Sequence, residues 1–361
     1  MNPSGTVTPV ALLIAAAAFS GAQSTAPSSY AIFSPAVITQ ISASNPHARD
    51  AIASAEKFVD TPPHPLVRVH TKGTLPGDPI REQSKAAEKD WEGMLYLGLA
   101  YRLTGDPKYL SAADRYLAAW SNIYTVTFNP IDETHLSTMM MGYDLTRGHL
   151  STSTEQHVTT LWRTMAEGYI QAMEGPHKDD RNLYSHRTKL AVMAAYETGD
   201  PALEARAKAV FRKHVKRNIR KDGSVEDFYK RDALYYVTYD LDPLLMAAIA
   251  ARMHGEDWFH TGDHRHTIAH AIAWLIPYAL GEKTHMEFVH STEPADAKRR
   301  KAGEGGFSGQ WNPAKAVDTL ALAAILDPRF ATPLLQCVSH TGRAPSNWLE
   351  LFPLDIPQAT H

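Results

Sequence analysis

The four residues Thr104-Gly105-Asp106-Pro107 return as Thr198-Gly199-Asp200-Pro201, and a shortened copy stands at Leu326-Asp327-Pro328. Gly takes the left-handed conformation that ends a helix, Asp caps the first free N–H groups of the next, and Pro is preorganised for its first turn. Each copy therefore reads as a tight turn from one helix straight into another. Apolar periodicity supports this: Trp91, Leu95, Leu99 and Leu103 recur at four-residue intervals, which predicts a helix over 82–103 burying one stripe. Further helices are predicted over 133–145, 153–174, 183–196, 202–220, 232–253, 264–280 and 313–325, with stops at Gly255 and Gly281. Strand-like alternation is scarce, so the fold class is all-α. Many helical hairpins without a strict residue period build either an open solenoid or a closed ring. Two irregular stretches, 61–81 and 285–312, are too long for hairpin turns and are candidate cleft walls, which favours the ring, an α/α toroid, over the open solenoid.

With 44% hydrophobic residues over 361 positions, the chain can bury a sizeable core. A net charge of -3 gives no whole-molecule attraction for nucleic acid or an anionic membrane, so a polyanionic ligand needs a local basic cleft. Residues 10–19 form an apolar run followed by Ser20-Gly21-Ala22, which reads as a secretory signal cut after Ala22, although no Lys or Arg precedes it. The run is too short to span a bilayer. A secreted or periplasmic protein without membrane contact after cleavage is expected. Residues 23–46, rich in Ser, Ala and Pro, read as an extended lead-in, and 47–361 as one domain acting as a monomer. Cys337 is the only cysteine, so no intramolecular disulfide forms. His264, His266 and His270 show only helix-compatible spacing, and no metal or other cofactor is expected.

Four stretches concentrate polar and aromatic residues that a plain scaffold does not need. Residues 71–79 form a turn-rich loop carrying Lys72 after His70, read either as a structural crossing or as a cleft edge. Residues 129–135 feed a turn into a helix, where Asp132 suits an N-cap as well as a sugar contact, and Glu133 and His135 are candidate substrate contacts. In 178–187, Asn182 and His186 are four apart, so on a helix an amide and an imidazole share a face and can grip a carboxylate; the plainer reading makes Asn182 a cap. In 222–239, Arg231, Tyr235 and Tyr239 recur every four residues and share a face on one continuous helix, with Tyr236 a quarter turn away. An aromatic stripe is usually core, but the adjacent Lys230 and Arg231 favour an ionised phenol, usable as a base.

These stretches, with residues 71–79 (TKGTLPGDP), 103–107 (LTGDP), Asp222-Gly223-Ser224 and Ala233-Leu234-Tyr235-Tyr236, resemble the alginate lyase superfamily: polysaccharide lyase family 5 and related helical polyuronate lyases. The resemblance runs from about residue 65 to 327. It implies an incomplete α/α toroid whose cleft binds a polyuronate and cleaves it by β-elimination without a metal. An Asn-His pair and an Arg in that family neutralise the substrate carboxylate, and a Tyr serves as acid, or as acid and base. Asn182 matches the Asn, and Tyr236, or its neighbour Tyr235, matches the Tyr. Leu183 stands where family 5 has its His, so His186, one turn later, is the substitute; Arg231 is slightly out of register with the family's Arg, and Lys230 is the alternative. These departures mark a relative of family 5. Substrate subsites are assigned to Lys72, Arg187, Tyr239, His290, Arg299 and Arg300, although the run Lys298-Arg299-Arg300-Lys301 also suits a solvated patch.

Alginate or polymannuronate is the expected substrate, with glucuronan next. A glycoside hydrolase on a similar toroid needs two carboxylates facing across the cleft, and Asp132, Glu133, Asp227 and Asp240 are available for it. A non-catalytic polysaccharide-binding solenoid is the other alternative.

Overall fold

In the computed structural model, which describes residues 29–176 and 181–353, the short helix α1 (Pro35–Ile38) and α2 (Ala48–Val59) precede a long pair, α3 (Pro79–Thr104) and α4 (Pro107–Ile123). Next come α5 (Leu136–Thr146), α6 (Thr152–Glu174) and a second pair, α7 (Asn182–Thr198) and α8 (Pro201–Asn218). A short α9 (Glu226–Arg231) leads into α10 (Leu234–Met253) and α11 (Ile268–Ala279). The remainder is α12 (Pro294–Lys301), α13 (Val317–Leu326), α14 (Ala331–Thr341) and α15 (Asn347–Leu351). Among the described residues there is no strand, only the isolated bridges Ile219–Val225 and Met286–Gln310. The signal-like segment at 1–22 lies outside the described residues, as do Lys178, Asp179 and Asp180. No described helix is long and apolar enough to cross a membrane.

The repeated turns fold as their chemistry requires. Gly105 closes α3 at φ +70°, its N–H donating to the Tyr101 carbonyl at 2.8 Å, and the Asp106 carboxylate accepts from the Lys108 N–H at 2.9 Å to open α4. Gly199 and Asp200 repeat the arrangement between α7 and α8. Asp327 caps a 3-10 turn (Pro328–Phe330) that delivers the chain into α14.

The hairpins stand side by side as an incomplete α/α toroid. α3, α5, α7, α10 and α13 pack in succession, while α4, α6 and α8 pack outside them. Burial follows this division: α7 and α10 are buried on nearly every face, as helices of an inner ring must be, whereas α8 buries a single stripe. The inner helices approach closely. A Cβ on Gly142 of α5 would come within 2.7 Å of the Met94 backbone of α3, so only glycine allows this crossing. Below it lies a core of interlocked rings, among them Trp91 and Trp120 at 4.9 Å.

Three sequence expectations change. Residues 29–46 are not a loose lead-in: Ala31, Ile32 and Phe33 are buried, and their N–H groups donate to the Asp144 carboxylate of α5 at 2.7–3.2 Å. Arg231 does not share one continuous helix with Tyr235 and Tyr239, because Asp232 adopts φ +50° and breaks the chain between α9 and α10. The stretch 285–312 is not wholly irregular, since it contains α12.

Candidate active site

A cavity of about 370 Å³ opens at the inner ring. The 70–75 loop forms one wall through Lys72 and Leu75, and α7 contributes Asn182 and Leu183, with Arg181 just before it. α9 and α10 contribute Arg231, Tyr235, Tyr236 and Tyr239, while α12 contributes Ala295, Lys298 and Arg299. Both long stretches singled out in the sequence thus line it. Among the described residues, the lining holds five cations, Lys72, Arg181, Arg231, Lys298 and Arg299, and no Asp or Glu.

Acids stand behind this wall and aim its groups. Asp227, fully buried, accepts from the Asn182 backbone N–H at 2.6 Å, from Asn182 Nδ2 at 2.8 Å through both oxygens, and from Arg231 Nε at 3.1 Å. Two oxygens of one carboxylate subtend far less than the angle between the two N–H bonds of an amide. Only one Asn182 hydrogen can therefore point at Asp227, and the second is left for the cavity. Arg231 also donates from Nη1 to Asp296, another fully buried carboxylate, and its guanidinium lies 3.9 Å from the centre of the Tyr236 ring. Arg181 donates to Glu293 at 2.5 Å, and Arg299 to Glu304 at 3.1 Å. The 70–75 loop is fixed from below by Asp132, which accepts from the N–H groups of Thr71 and Lys72 at 2.8 and 2.7 Å and from Asn129 at 2.6 Å. Asp132 is thus a loop latch rather than an N-cap or a sugar contact.

The tyrosines pack edge-to-face and stacked on a small apolar base of Ala233, Phe288 and Phe307. Tyr236 meets Tyr239 at 5.9 Å and 87°, Tyr235 stacks on Tyr239 at 6.2 Å, and Phe288 lies 5.9 Å beneath Tyr236. No hydroxyl of the three is hydrogen-bonded to another described residue, which leaves them to the cavity. The cation beside Tyr236 does not leave it ionised, contrary to the sequence reading: burial pushes the phenol up to about 12, outweighing Arg231. Burial likewise raises Tyr235, opposed by Arg299, and raises Tyr239.

Of the catalytic candidates, Asn182, Arg231, Tyr235 and Tyr236 share the cavity, and His186 does not line it. His186 sits one layer deeper, with its ring 4.2 Å from that of Tyr239 and Nδ1 2.6 Å from Thr134 Oγ1. Burial and the neighbouring Lys189 charge hold it well below the usual histidine range, so it is neutral. The α7 turn that turns Asn182 and Leu183 to the cavity turns His186 into the core.

Among the predicted subsites, Lys72, Tyr239 and Arg299 line the cavity, and the others do not. Glu133 is fully buried, accepting from Tyr124 at 2.9 Å, Thr127 Oγ1 at 2.9 Å and Tyr169, and it holds the turn together. His135 opens onto a neighbouring cavity. Arg187 lies over the Tyr184 ring at 4.7 Å, Arg300 donates to the Phe288 carbonyl at 3.3 Å, and His290 is exposed with its N–H on Asp232. Arg181 and Lys298 were not singled out by sequence. Helical spacing signals Lys298, three residues from Ala295 and therefore on its face of α12.

The family model "Alginate lyase" matches residues 35–285. A curated polysaccharide lyase of Stenotrophomonas maltophilia (strain K279a) is 27% identical over 177 residues, 45% of this chain and 53% of that protein, so the match spans about half the length of that relative. Among solved structures, an alginate lyase from Bacteroides ovatus superposes with a TM-score of 0.61 at 16% identity, covering 82% of this chain and 90% of that one. A histidine-to-alanine variant of alginate lyase A1-III superposes at 0.57 without ligand, at 16% identity, covering 85% of this chain and 89% of that one. The same variant complexed with a tetrasaccharide gives 0.54 at 18% identity, covering 78% and 82%. These likenesses establish the helical toroid.

Proposed function

The chain belongs to the alginate lyase family, and on that premise we propose that it is a polysaccharide lyase that cleaves an acidic polyuronate by β-elimination. The observation that carries this reading is the cavity lining itself: among the described residues, five cations, three tyrosines and no carboxylate. Such a wall attracts a polyuronate. It does not suit a glycoside hydrolase, which needs two carboxyl groups across the scissile bond. Each acid available for that role is engaged elsewhere: Asp132 and Glu133 hold the 129–135 turn, Asp227 holds Asn182 and Arg231, and Asp240 accepts from Ser185 and from Asn218 at 2.6 Å.

In this reading the substrate carboxylate lies against Arg231 and the second Asn182 N–H. Neutralising that charge makes the C5 hydrogen removable and stabilises the enolate-like state that follows. Lys72, Arg181, Lys298 and Arg299 receive carboxylates of neighbouring sugars. The Tyr236 phenolate takes the C5 hydrogen as a proton, and the released electron pair becomes the C4=C5 double bond. The C4–O4 bond then breaks with its pair on O4, to which the same phenol returns the proton. With a phenol at about 12, roughly one Tyr236 in 10⁴ is ionised at pH 8, so turnover rises with pH. A single residue acting twice requires C5–H and O4 on one face, as in mannuronate and glucuronate. Polymannuronate is thus the first substrate to test and glucuronan the second. Both are extracellular polymers, in keeping with the export signal read at residues 1–22.

The test is the product. Polymannuronate treated with the protein should gain the ultraviolet absorbance of an unsaturated uronate in step with new reducing ends; reducing ends without absorbance would mean hydrolysis. Tyr236→Phe should lower kcat by about 10²–10⁴-fold while oligomannuronate binding survives. Unchanged turnover in that variant would remove Tyr236 from the mechanism.

A further inference from the structure

A second cavity, of about 350 Å³, lies on the other side of the 129–135 turn. Ile131 lines the first cavity and His135 the second, so one turn separates them. One face of α3 supplies Lys85, Glu88, Lys89, Glu92 and Tyr96 at three- and four-residue spacing, and Trp348 of α15 faces them from the far side. Nothing in the reaction above uses this space.

Its chemistry is that of a sugar site. Tyr96 and Trp348 are both partly exposed and offer flat apolar surfaces to the C–H face of a pyranose. Lys85 and Lys89 are exposed and neither forms an ion pair within 4 Å among the described residues; Lys85 acts at longer range on Glu88, and both ammonium groups can reach a carboxylate in the cavity. Glu88 lines the cavity with Oε1 buried and without a hydrogen-bond partner, an arrangement that lacks a donor such as a hydroxyl. Burial, with the nearby Asp132 charge, pushes that carboxyl up to about 7, so near neutral pH it serves a hydroxyl as acceptor or as donor. Among the described residues no group of three or more His, Cys, Asp or Glu can hold a metal ion, so the Glu88, Glu92 and His135 side chains do not make a cation site.

We propose that this cavity is a distal subsite that takes a uronate residue of the same polymer chain whose reacting bond lies in the first cavity. The proposal rests on the polyuronate reading above. It predicts that affinity depends on chain length through Lys85, Lys89 and Trp348, while the chemical step does not.

Two variants test it: Lys85→Ala with Lys89→Ala, both exposed and so compatible with folding, and separately Trp348→Ala. Kinetics are measured on mannuronate trimer and on polymannuronate. The double variant should raise KM for the polymer about tenfold, the loss of two solvent-exposed charge contacts, with kcat unchanged and trimer kinetics unaltered. Equal losses on trimer and polymer, or no loss on either, would overturn the subsite. Tryptophan fluorescence of the Tyr236→Phe protein titrated with trimer and with polymer gives a readout independent of turnover. Quenching by polymer alone, lost in Trp348→Ala, supports one continuous chain; equal quenching by trimer indicates a separate saccharide and overturns it. If the wild-type protein yields no unsaturated product from any polyuronate yet still shows length-dependent quenching, the lyase reading fails and the subsite stands.

Discussion

Arg231 and Lys189 are both cations set inside the toroid, and they are held in opposite ways. Arg231 lies between two fully buried carboxylates, Asp227 and Asp296. Lys189, buried where Arg231 is only partly so, donates only to neutral oxygens: the Thr134 carbonyl at 2.7 Å, Thr134 Oγ1 at 2.9 Å and Ser137 Oγ at 3.1 Å. Arginine between anions keeps its charge at every accessible pH. Lysine among neutral oxygens does not: burial pushes Lys189 down to about 7, and the Asp242 charge opposes this only in part. The two positions differ in what they must do. Arg231 meets the cavity and, in the proposed mechanism, an incoming carboxylate, whereas Lys189 meets Ser137 and Thr134 and, through Thr134, His186. Thr134 Oγ1 accepts from Lys189 and shares a hydrogen bond of 2.6 Å with His186 Nδ1, so one hydroxyl joins the two side chains. A charge needed at the surface of the site is fixed by acids, and one needed only to orient an imidazole is not.

The sharpest way to break this comparison is to remove each cation in turn. Arg231→Met strands two buried carboxylates and should cost about 3–5 kcal/mol in urea unfolding, with loss of lyase turnover. A cost under about 1 kcal/mol would show that the aspartates do not depend on the guanidinium. Lys189→Met strands no carboxylate, and its mark is on pH dependence. The Lys189 pKa is lower folded than unfolded, so between about pH 7 and 10 the unfolded chain binds the extra proton. Wild-type stability should therefore rise with pH across that window by about 1.4 kcal/mol per unit from this group, and the contribution flattens below pH 7. His135 and His186 titrate below the window, being held down by burial. Asp242, raised to about 7 by burial, sits at its lower edge; the Lys189 charge lowers it, so Asp242 moves upward in Lys189→Met and its titration is followed alongside. Unfolding of wild type and Lys189→Met at pH 7.5 and 9 isolates the difference; parallel slopes would mean that Lys189 is charged in the fold.

Half of this arrangement is legible in the sequence. The Gly-Asp-Pro turns announce helical hairpins because their conformational demands are local, and Asn182, Arg231 and Tyr236 stand in recognisable blocks. Spacing says which residues share a helix face but not what that face meets. His186 shares its helix with Asn182 yet points at Thr134, 52 residues earlier, and Asp296 reaches Arg231 from 65 residues away. The break at Asp232 is invisible for a related reason: a non-glycine residue at positive φ carries little sequence signal, and it moves Arg231 from the Tyr235 face to the ring of Tyr236. Glu133 reads as a substrate contact only because its three hydroxyl partners come from separate elements. Lys189 left no trace, since Arg187 stands two residues before it and the apolar run 190–196 begins only after it.

The smallest expected effect extends the comparison to the rim. Lys298 lines the cavity but is exposed and has no ion-pair partner among the described residues, so it resembles Lys189 in lacking an acid and Arg231 in facing the cavity. Solvent keeps it charged without help, and the same solvent screens it. An exposed contact of this kind contributes about 0.2–1 kcal/mol, so Lys298→Ala should raise KM for polymannuronate by about 1.4- to fivefold at low salt. The difference should shrink toward nothing near 1 M salt, where screening reaches about 3 Å, and kcat should not move. A fall in kcat with KM intact, unaffected by salt, would mean that Lys298 bears on the transition state, and that exposure does not separate the cations that steer the polymer from the one that meets its reacting carboxylate.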